Sequence, residues 1–318
     1  MSELKLQTSQ AYFRDKFVPF DQANLSIASS PMLYGLSVYT VVAANWDATA
    51  TDRAGQTTGQ LHLFRLRDHW QRLVNSARII DFADFASVMP YDKFAQIITE
   101  LVTTNDVRQD ALIRATIFID ELVAGTKIRG LTNSFCAFVY PMGEILPRDG
   151  IHCCISSWTR TADNMIPARA KINGSYVNSS LMKNEALTNG YDDAIALDNN
   201  GHVTEGTVSN LFVVRGGQLI TPDHSADILE GITRDSILRL AAELGLPCAT
   251  RSLDRSELYI ADEAFMVGSS ARIIPILSID RRPISAAIGP ITQQLRDEYA
   301  KIQLGQSDTF GDWLTAVY

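Results

Sequence analysis

The stretch DDAIALDNNGHVTEGTVSNLFVVRGGQLITP, residues 192–222, limits the fold more than any other part of the chain. Short runs of β-branched and apolar residues are separated by Asn200-Gly201 and Gly216-Gly217. Both dipeptides suit two-residue hairpin turns, because they tolerate positive φ at no steric cost. The stretch therefore reads as consecutive strands joined by tight turns. It follows VNSSLMKNEALTNG, a helix ending at Gly190, which is a suitable C′ residue. It precedes GITRDSILRLAAELGL, a helix that Thr233 is placed to cap. EAFMVGSSARIIPILSID then gives two strands around a Gly-Ser-Ser turn, and the last helix runs through PITQQLRDEYAKIQL.

The first third also alternates strand and helix. AYFRDKFVPF reads as a hairpin with Arg14-Asp15 near its turn. LSVYTVVAANW and LHLFRL read as strands separated by the polar loop DRAGQTTGQ. In RDHWQRLVNSARII, Trp70, Leu73, Val74 and Ala77 recur at helical spacing. YDKFAQIITELVTTN is a second amphipathic helix, ALIRATIFID and SFCAFVYP are strands, and HCCISSW is the strand that opens the second part. The fold class is thus α/β (α+β). A chain of 318 residues is too long for one compact core and predicts two domains. The Pro- and Gly-rich run at 140–150 is the natural connection, dividing a smaller domain over 1–140 from a larger one over 151–318.

No apolar run reaches the ~18 residues that a bilayer span requires. The polar start, MSELKLQTSQAYF, lacks the apolar core of a signal peptide, so a cytoplasmic protein is expected. The net charge of −8 argues against nucleic acid as a partner, while leaving room for a locally basic site that holds a small anion. The four cysteines, Cys136, Cys153, Cys154 and Cys248, have no zinc-like spacing and read as buried free thiols, with no metal expected.

Four features bear on chemistry. Lys171, in PARAKINGSYVNSS, follows a loop and precedes a helix. Such a lysine is ordinarily a solvated charge, but its flanks are small and uncharged apart from Arg169. Glu205 sits among β-branched residues directly before Gly206, where a carboxylate is either a strand-end charge or aimed at a cleft. Two places are built to hold an anion: the start of the helix at Gly231, Ile232 and Thr233, where N–H groups and the helix dipole converge, and the turn Gly268, Ser269, Ser270. Arg72, on DHWQRL, offers a guanidinium in fork geometry. Each feature alone has an ordinary structural explanation in caps, turns and surface charges.

Taken in order, KINGSYVNSS, NGYDDAIALDNNGHVTEGTVSNLF and GITRDSI resemble the class IV, fold-type IV aminotransferases that use pyridoxal 5′-phosphate (PLP). The likeness runs from about Ala11 to about Leu304 and is nearest to the branched-chain members. The resemblance implies a two-domain enzyme with the cofactor in a cleft between domains, and a homodimer. It makes Lys171 the Schiff-base lysine that also moves the proton during transfer. Tyr176 becomes the partner of the cofactor's O3′ and Glu205 that of its ring nitrogen. Arg72, Ile232, Thr233, Ser269 and Ser270 become phosphate ligands, and Tyr34, Tyr39, Arg114 and Ala271 line the substrate side. The substrates implied are an amino donor and a 2-oxo acid, exchanged by a ping-pong mechanism. Alternatives on the same scaffold are a 4-amino-4-deoxychorismate lyase and a D-amino acid or (R)-amine transaminase. A catalytically silent PLP-binding protein is the alternative of another class.

The chain departs from the branched-chain pattern at substrate positions. Tyr39-Thr40-Val41 stands where a Phe-Glu-Gly-Ile-Arg type run is usual. Leu112 replaces a pocket tyrosine two residues before Arg114, and Met142 an aromatic residue of the interdomain loop. Lys127 and Arg129, in TKIRGL, offer a cation for a substrate carboxylate, with a solvated loop the favoured reading.

Overall fold

The computed structural model describes residues 9–52, 54–82, 84–144 and 146–318. The polar start read above lies outside the described residues as far as Thr8. The chain divides into two compact units. One comprises residues up to 143 together with 170–174 and 301–318, and the other comprises 144–169 and 175–300.

In the first unit, β1 (Gln10–Phe13) and β2 (Lys16–Pro19) form the expected hairpin, with Arg14 taking φ 50 at its turn. A short helix α1 (Ser30–Tyr34) follows, then β3 (Ser37–Asp47), β4 (Gln60–Phe64), α2 (Leu66–Ile79), α3 (Phe85–Val88), α4 (Tyr91–Thr104), β5 (Ala111–Ile119) and β6 (Asn133–Pro141). The sheet is antiparallel throughout. It runs from a C-terminal strand (Leu314–Ala316) through β4, β3, β5, β6 and β1 to β2. β3 and β5 are central and read as near-continuous apolar runs because little of either faces water. α2 packs on β3 and α4 on β1 and β6. The C-terminal strand was not legible in the sequence. It is held by Trp313, whose ring meets Phe64 edge-on at 5.8 Å.

The second unit contains β7 (Ile151–Ile155), α5 (Tyr176–Thr188), β8 (Asp193–Leu197), β9 (Val203–Gly206), β10 (Asn210–Arg215), β11 (Gln218–Thr221), α6 (Ile232–Glu243), β12 (Cys248–Thr250), α7 (Arg255–Leu258), β13 (Glu263–Gly268), β14 (Arg272–Ile279) and β15 (Arg282–Pro283). α8 (Pro290–Gln303) belongs to it through Ala300. The strands run in the order β12, β11, β10, β13, β14, β7, β8, β9, with β15 on β14. The β11–β12, β14–β7 and β7–β8 pairs are parallel and the others antiparallel. Gly216-Gly217 makes the two-residue turn between β10 and β11 with both residues at positive φ, whereas β8 and β9 are joined by residues 198–202, of which Gly201 takes positive φ; Gly190 takes φ 77 just past α5.

Three local expectations need correction. Thr233 does not cap α6. Gly231 is the N-cap residue, in extended conformation, and Thr233 is buried within the first turn. The strand read in HCCISSW stops at Ile155, because Ser156 and Ser157 turn to bond Glu185. Of the four thiols, Cys153 and Cys154 are buried on opposite sides of β7, but Cys248 is exposed on the short strand β12. Burial pushes the Cys154 thiol up to about 11 and that of Cys136 to about 12, so neither is a thiolate near neutrality.

Candidate active site

Alternation along β3 decides which residues gather around Lys171. Tyr39 and Thr40 point to opposite faces of the strand. Arg114 lies opposite Val41 on β5, hence diagonal to Tyr39 on the same face. The Arg114 guanidinium stacks 3.6 Å from the buried Tyr39 ring, and the Lys171 Nζ lies 4.9 Å from the same ring. Arg114 also donates to the Asn173 side chain, which in turn donates to Ser37 Oγ at 2.7 Å.

The backbone of Lys171 is fixed from two directions. Its N–H donates to Ser76 Oγ at 3.1 Å, and its carbonyl accepts from the Tyr39 N–H at 2.9 Å. Val38 and Ile172 form an antiparallel bridge alongside. The next turn depends on Gly35, packed against Gly174. Gly35 sits at φ 68, and a Cβ there would lie 2.7 Å from the Gly174 Cα. The two backbones approach closely enough for the Gly174 N–H to donate to the Gly35 carbonyl at 3.2 Å. Lys171 is thus half-buried on a rigid edge rather than free on a solvated loop.

Behind Thr40, on α2, His69, Arg72 and Ser76 share one helix face at spacings of three and four. Arg72 Nη2 donates to Thr40 Oγ1 at 3.2 Å, and Thr40 Oγ1 lies 2.7 Å from His69 Nδ1. Thr40 and His69 are fully buried. Burial, reinforced by the charges of Arg72, Arg65 and Lys171, holds the His69 imidazole well below its usual pKa and therefore neutral.

In the second unit, Glu205 is buried on β9 and accepts from three donors. Arg160 Nη2 reaches Oε1 at 2.6 Å, while Asn210 Nδ2 and the Leu229 N–H reach Oε2 at 2.8 and 3.2 Å. Three donors, one of them cationic, fit an ionised carboxylate. Gly231 adjoins this group. A Cβ on it would overlap Asn210 Oδ1 at 1.8 Å, so only glycine fits where α6 begins. Arg234, in the first turns of α6, is buried with its guanidinium on Thr221 Oγ1 and the Pro222 carbonyl.

The candidate residues thus fall into two groups. Lys171, Tyr39, Arg114 and Arg72 come together in one unit. Glu205 and the start of α6 at Ile232 and Thr233 lie in the other, with half-buried Ser269, Ser270 and Ala271 in its β13–β14 turn and half-buried Tyr176 opening α5. Tyr34 is exposed, and its hydroxyl accepts from the Gly125 N–H at 3.1 Å. Arg129 is exposed and paired with Asp81 at 2.7 Å, and Lys127 is exposed, so TKIRGL is a solvated loop. Arg160, Asn210, His69 and Asn173 were not read from the sequence as members of the site. His69 alone left a signal, three residues before Arg72 on a helix.

Each unit supplies groups of the kind PLP needs: one a clamped lysine that can carry the aldehyde and a guanidinium suited to a phosphate, the other a carboxylate suited to a protonated ring nitrogen and a helix N-terminus suited to a phosphate. Comparison with known proteins agrees. Residues 57–279 match the sequence profile of the amino-transferase class IV family. A probable branched-chain-amino-acid aminotransferase of Synechocystis is 37% identical over 96% of this chain and 95% of its own. The crystal structure of a branched-chain aminotransferase from Thermoproteus uzoniensis with norvaline superposes with a TM-score of 0.91 at 36% identity, covering 98% of this chain and all of the other. That of the Thermobaculum terrenum enzyme in its PLP form gives 0.89 at 35%, covering 99% and all. The chain belongs to the class IV aminotransferases, enzymes of fold type IV that transfer amino groups with pyridoxal phosphate.

Proposed function

We propose that this aminotransferase moves the amino group of a branched-chain L-amino acid to a 2-oxo acid in two half-reactions. The observation that carries the proposal is the setting of Lys171. It is half-buried, fixed at both its N–H and its carbonyl, and directed over the Tyr39 ring beside Arg114. In this reading Lys171 holds the cofactor's aldehyde carbon, yields it to the incoming amine, and then carries the proton between the substrate's Cα and the cofactor's C4′. Bound PLP supplies the electron sink. Glu205 keeps the ring nitrogen protonated and Tyr176 orients the O3′ side. Arg72, Ile232, Thr233, Ser269 and Ser270 take the phosphate.

Tyr34, Tyr39, Arg114 and Ala271 make up the substrate side, with Arg114 the cation for a carboxylate. Buried Leu112 and half-buried Met142 stand where the pattern calls for aromatic residues, which favours aliphatic side chains. The named relatives favour the branched-chain reading over lyase, D-amino acid or amine chemistry. Purified protein assayed with L-leucine, L-valine, D-alanine, a chiral amine and aminodeoxychorismate separates these. L-Leucine and L-valine are expected to be the best donors, in a reaction that needs a 2-oxo acid. Release of pyruvate without such an acceptor contradicts the proposal.

We also infer a homodimer in a reducing, cytoplasmic setting. Leu25, Ile27, Met32, Leu33 and Tyr34 are exposed within one short segment, an apolar concentration that a second copy would cover. No helix among the described residues is long and apolar enough to cross a membrane. Sedimentation at micromolar concentration is expected to give twice the chain mass, and a monomer at that concentration contradicts the dimer.

A further inference from the structure

We propose that Thr40 is a positioning residue. Its hydroxyl links Arg72 to a neutral His69 in a hydrogen-bond chain of fixed polarity that aims the guanidinium at the cofactor phosphate. The proposal rests on the reading of Arg72 as a phosphate ligand.

The polarity follows from the chemistry of the three groups. Arginine only donates. With Arg72 Nη2 donating to Thr40 Oγ1 at 3.2 Å, the Thr40 hydroxyl hydrogen is left for His69 Nδ1 at 2.7 Å. In the arrangement we assign, Thr40 donates to Nδ1 and His69 is the neutral tautomer protonated on Nε2. A protonated His69 would donate at Nδ1, turn the Thr40 hydroxyl hydrogen away, and add a cation beside Arg72. Burial and the neighbouring cations already oppose that state.

Both supporting residues sit on rigid elements, Thr40 in the central strand β3 and His69 one turn before Arg72 on α2. A long arginine side chain loses several rotamers when it is held in place. A partner fixed in a strand bears that cost before the phosphate arrives. Neither Thr40 nor His69 brings a formal charge, so the chain directs Arg72 without adding an anion to compete with phosphate.

The test uses the full-length protein stripped of cofactor and titrated with PLP. Dissociation constants, the 31P resonance of the bound phosphate, and turnover at saturating PLP are read for each variant. Thr40→Val, nearly the same shape, is expected to weaken PLP binding on the order of tenfold, the scale of one hydrogen bond to a charged group. It should also move the 31P resonance of the bound phosphate. Thr40→Ser should restore affinity. His69→Asn places an acceptor where Nδ1 was and should stay near wild type. His69→Gln, whose amide reaches the Nε2 position instead, should behave like Thr40→Val, and it serves as the reading if Thr40→Val does not fold. Arg72→Gln is the reference. If it weakens PLP binding while Thr40→Val and His69→Gln do not, the positioning role is wrong and the phosphate reading stands. If Arg72→Gln itself leaves affinity and the 31P resonance unchanged, the phosphate reading fails and the positioning role fails with it.

Discussion

Glu205 and Arg160 form a buried ion pair whose two members are not equivalent. Arg160 meets one carboxylate oxygen, while Asn210 and the Leu229 N–H meet the other. Removing Arg160 takes the nearest cation from a buried carboxylate, which weakens its anionic form. A protonated Glu205 would no longer hold a ring nitrogen in its cationic form. Arg160→Met is therefore expected to cost about 3 kcal/mol in urea unfolding and to slow turnover even at saturating cofactor. Arg160→Lys, which keeps the charge, should recover part of both. Unchanged stability and turnover in Arg160→Met would show that the ion pair contributes neither. Removing both charges at once in Arg160→Met/Glu205→Leu should be milder for stability than either single change, because no lone charge remains buried.

Elements are held in place here by close backbone approach as much as by side chains. The Gly35–Gly174 contact joins the turn after α1 to the turn after Lys171, and it is Gly35 that must be glycine there. Gly35→Ala meets the Gly174 Cα at 2.7 Å and must also adopt φ 68. Gly217→Ala faces the same positive φ, at 75, with open space around it. Strain alone costs about 1 kcal/mol, so Gly35→Ala is expected to lower the unfolding free energy by clearly more than Gly217→Ala. Gly35→Ala should also raise the PLP dissociation constant by displacing Lys171, whereas Gly217→Ala should not. Equal effects of the two on both readouts would remove the close approach from the account. This contact also shows where sequence reading stops. The strands were legible because β3, β5 and β8–β11 are short runs rich in β-branched and apolar residues, and the turns because Gly201, Gly216 and Gly217 suit positive φ. Lys171, Glu205 and Arg72 were legible through their order and spacing. Their partners were not. Arg160 reaches Glu205, and Asn173 reaches Arg114, only when segments distant in sequence come together, and Asn210 reaches Glu205 only across the turn between β9 and β10; nothing local marks any of these. Helix α1 has five residues and the C-terminal strand three, too short for periodicity to register. Thr233 looked like a cap because threonine favours that position, but α6 begins two residues earlier than a cap at 233 requires.

For the whole molecule, buried ionisable groups set the response to pH. His69 is held neutral in the folded protein, while in the unfolded chain it takes a proton near pH 6.5. Below that pH the unfolded state binds more protons, so stability falls as pH drops through about 6.5. Glu257 works in a lower window. Its hydrogen bond to Arg251, with help from Arg215, brings it down to about 2, so it contributes above the usual carboxylate range and the contribution is lost as pH falls towards 2. The urea midpoint is accordingly expected to be lower at pH ~5.5 than at ~7.5, with a smaller difference in His69→Asn. A difference of the same size in that variant would assign the pH response to other groups. The central claim concerns Lys171, and the visible absorbance spectrum tests it most directly. Wild-type protein with PLP is expected to show a visible band that shifts when L-leucine is added and returns when a 2-oxo acid follows. Lys171→Ala should still bind PLP through the other groups but show neither the wild-type band nor turnover. A Lys171→Ala protein that keeps the wild-type band and wild-type turnover would contradict the account.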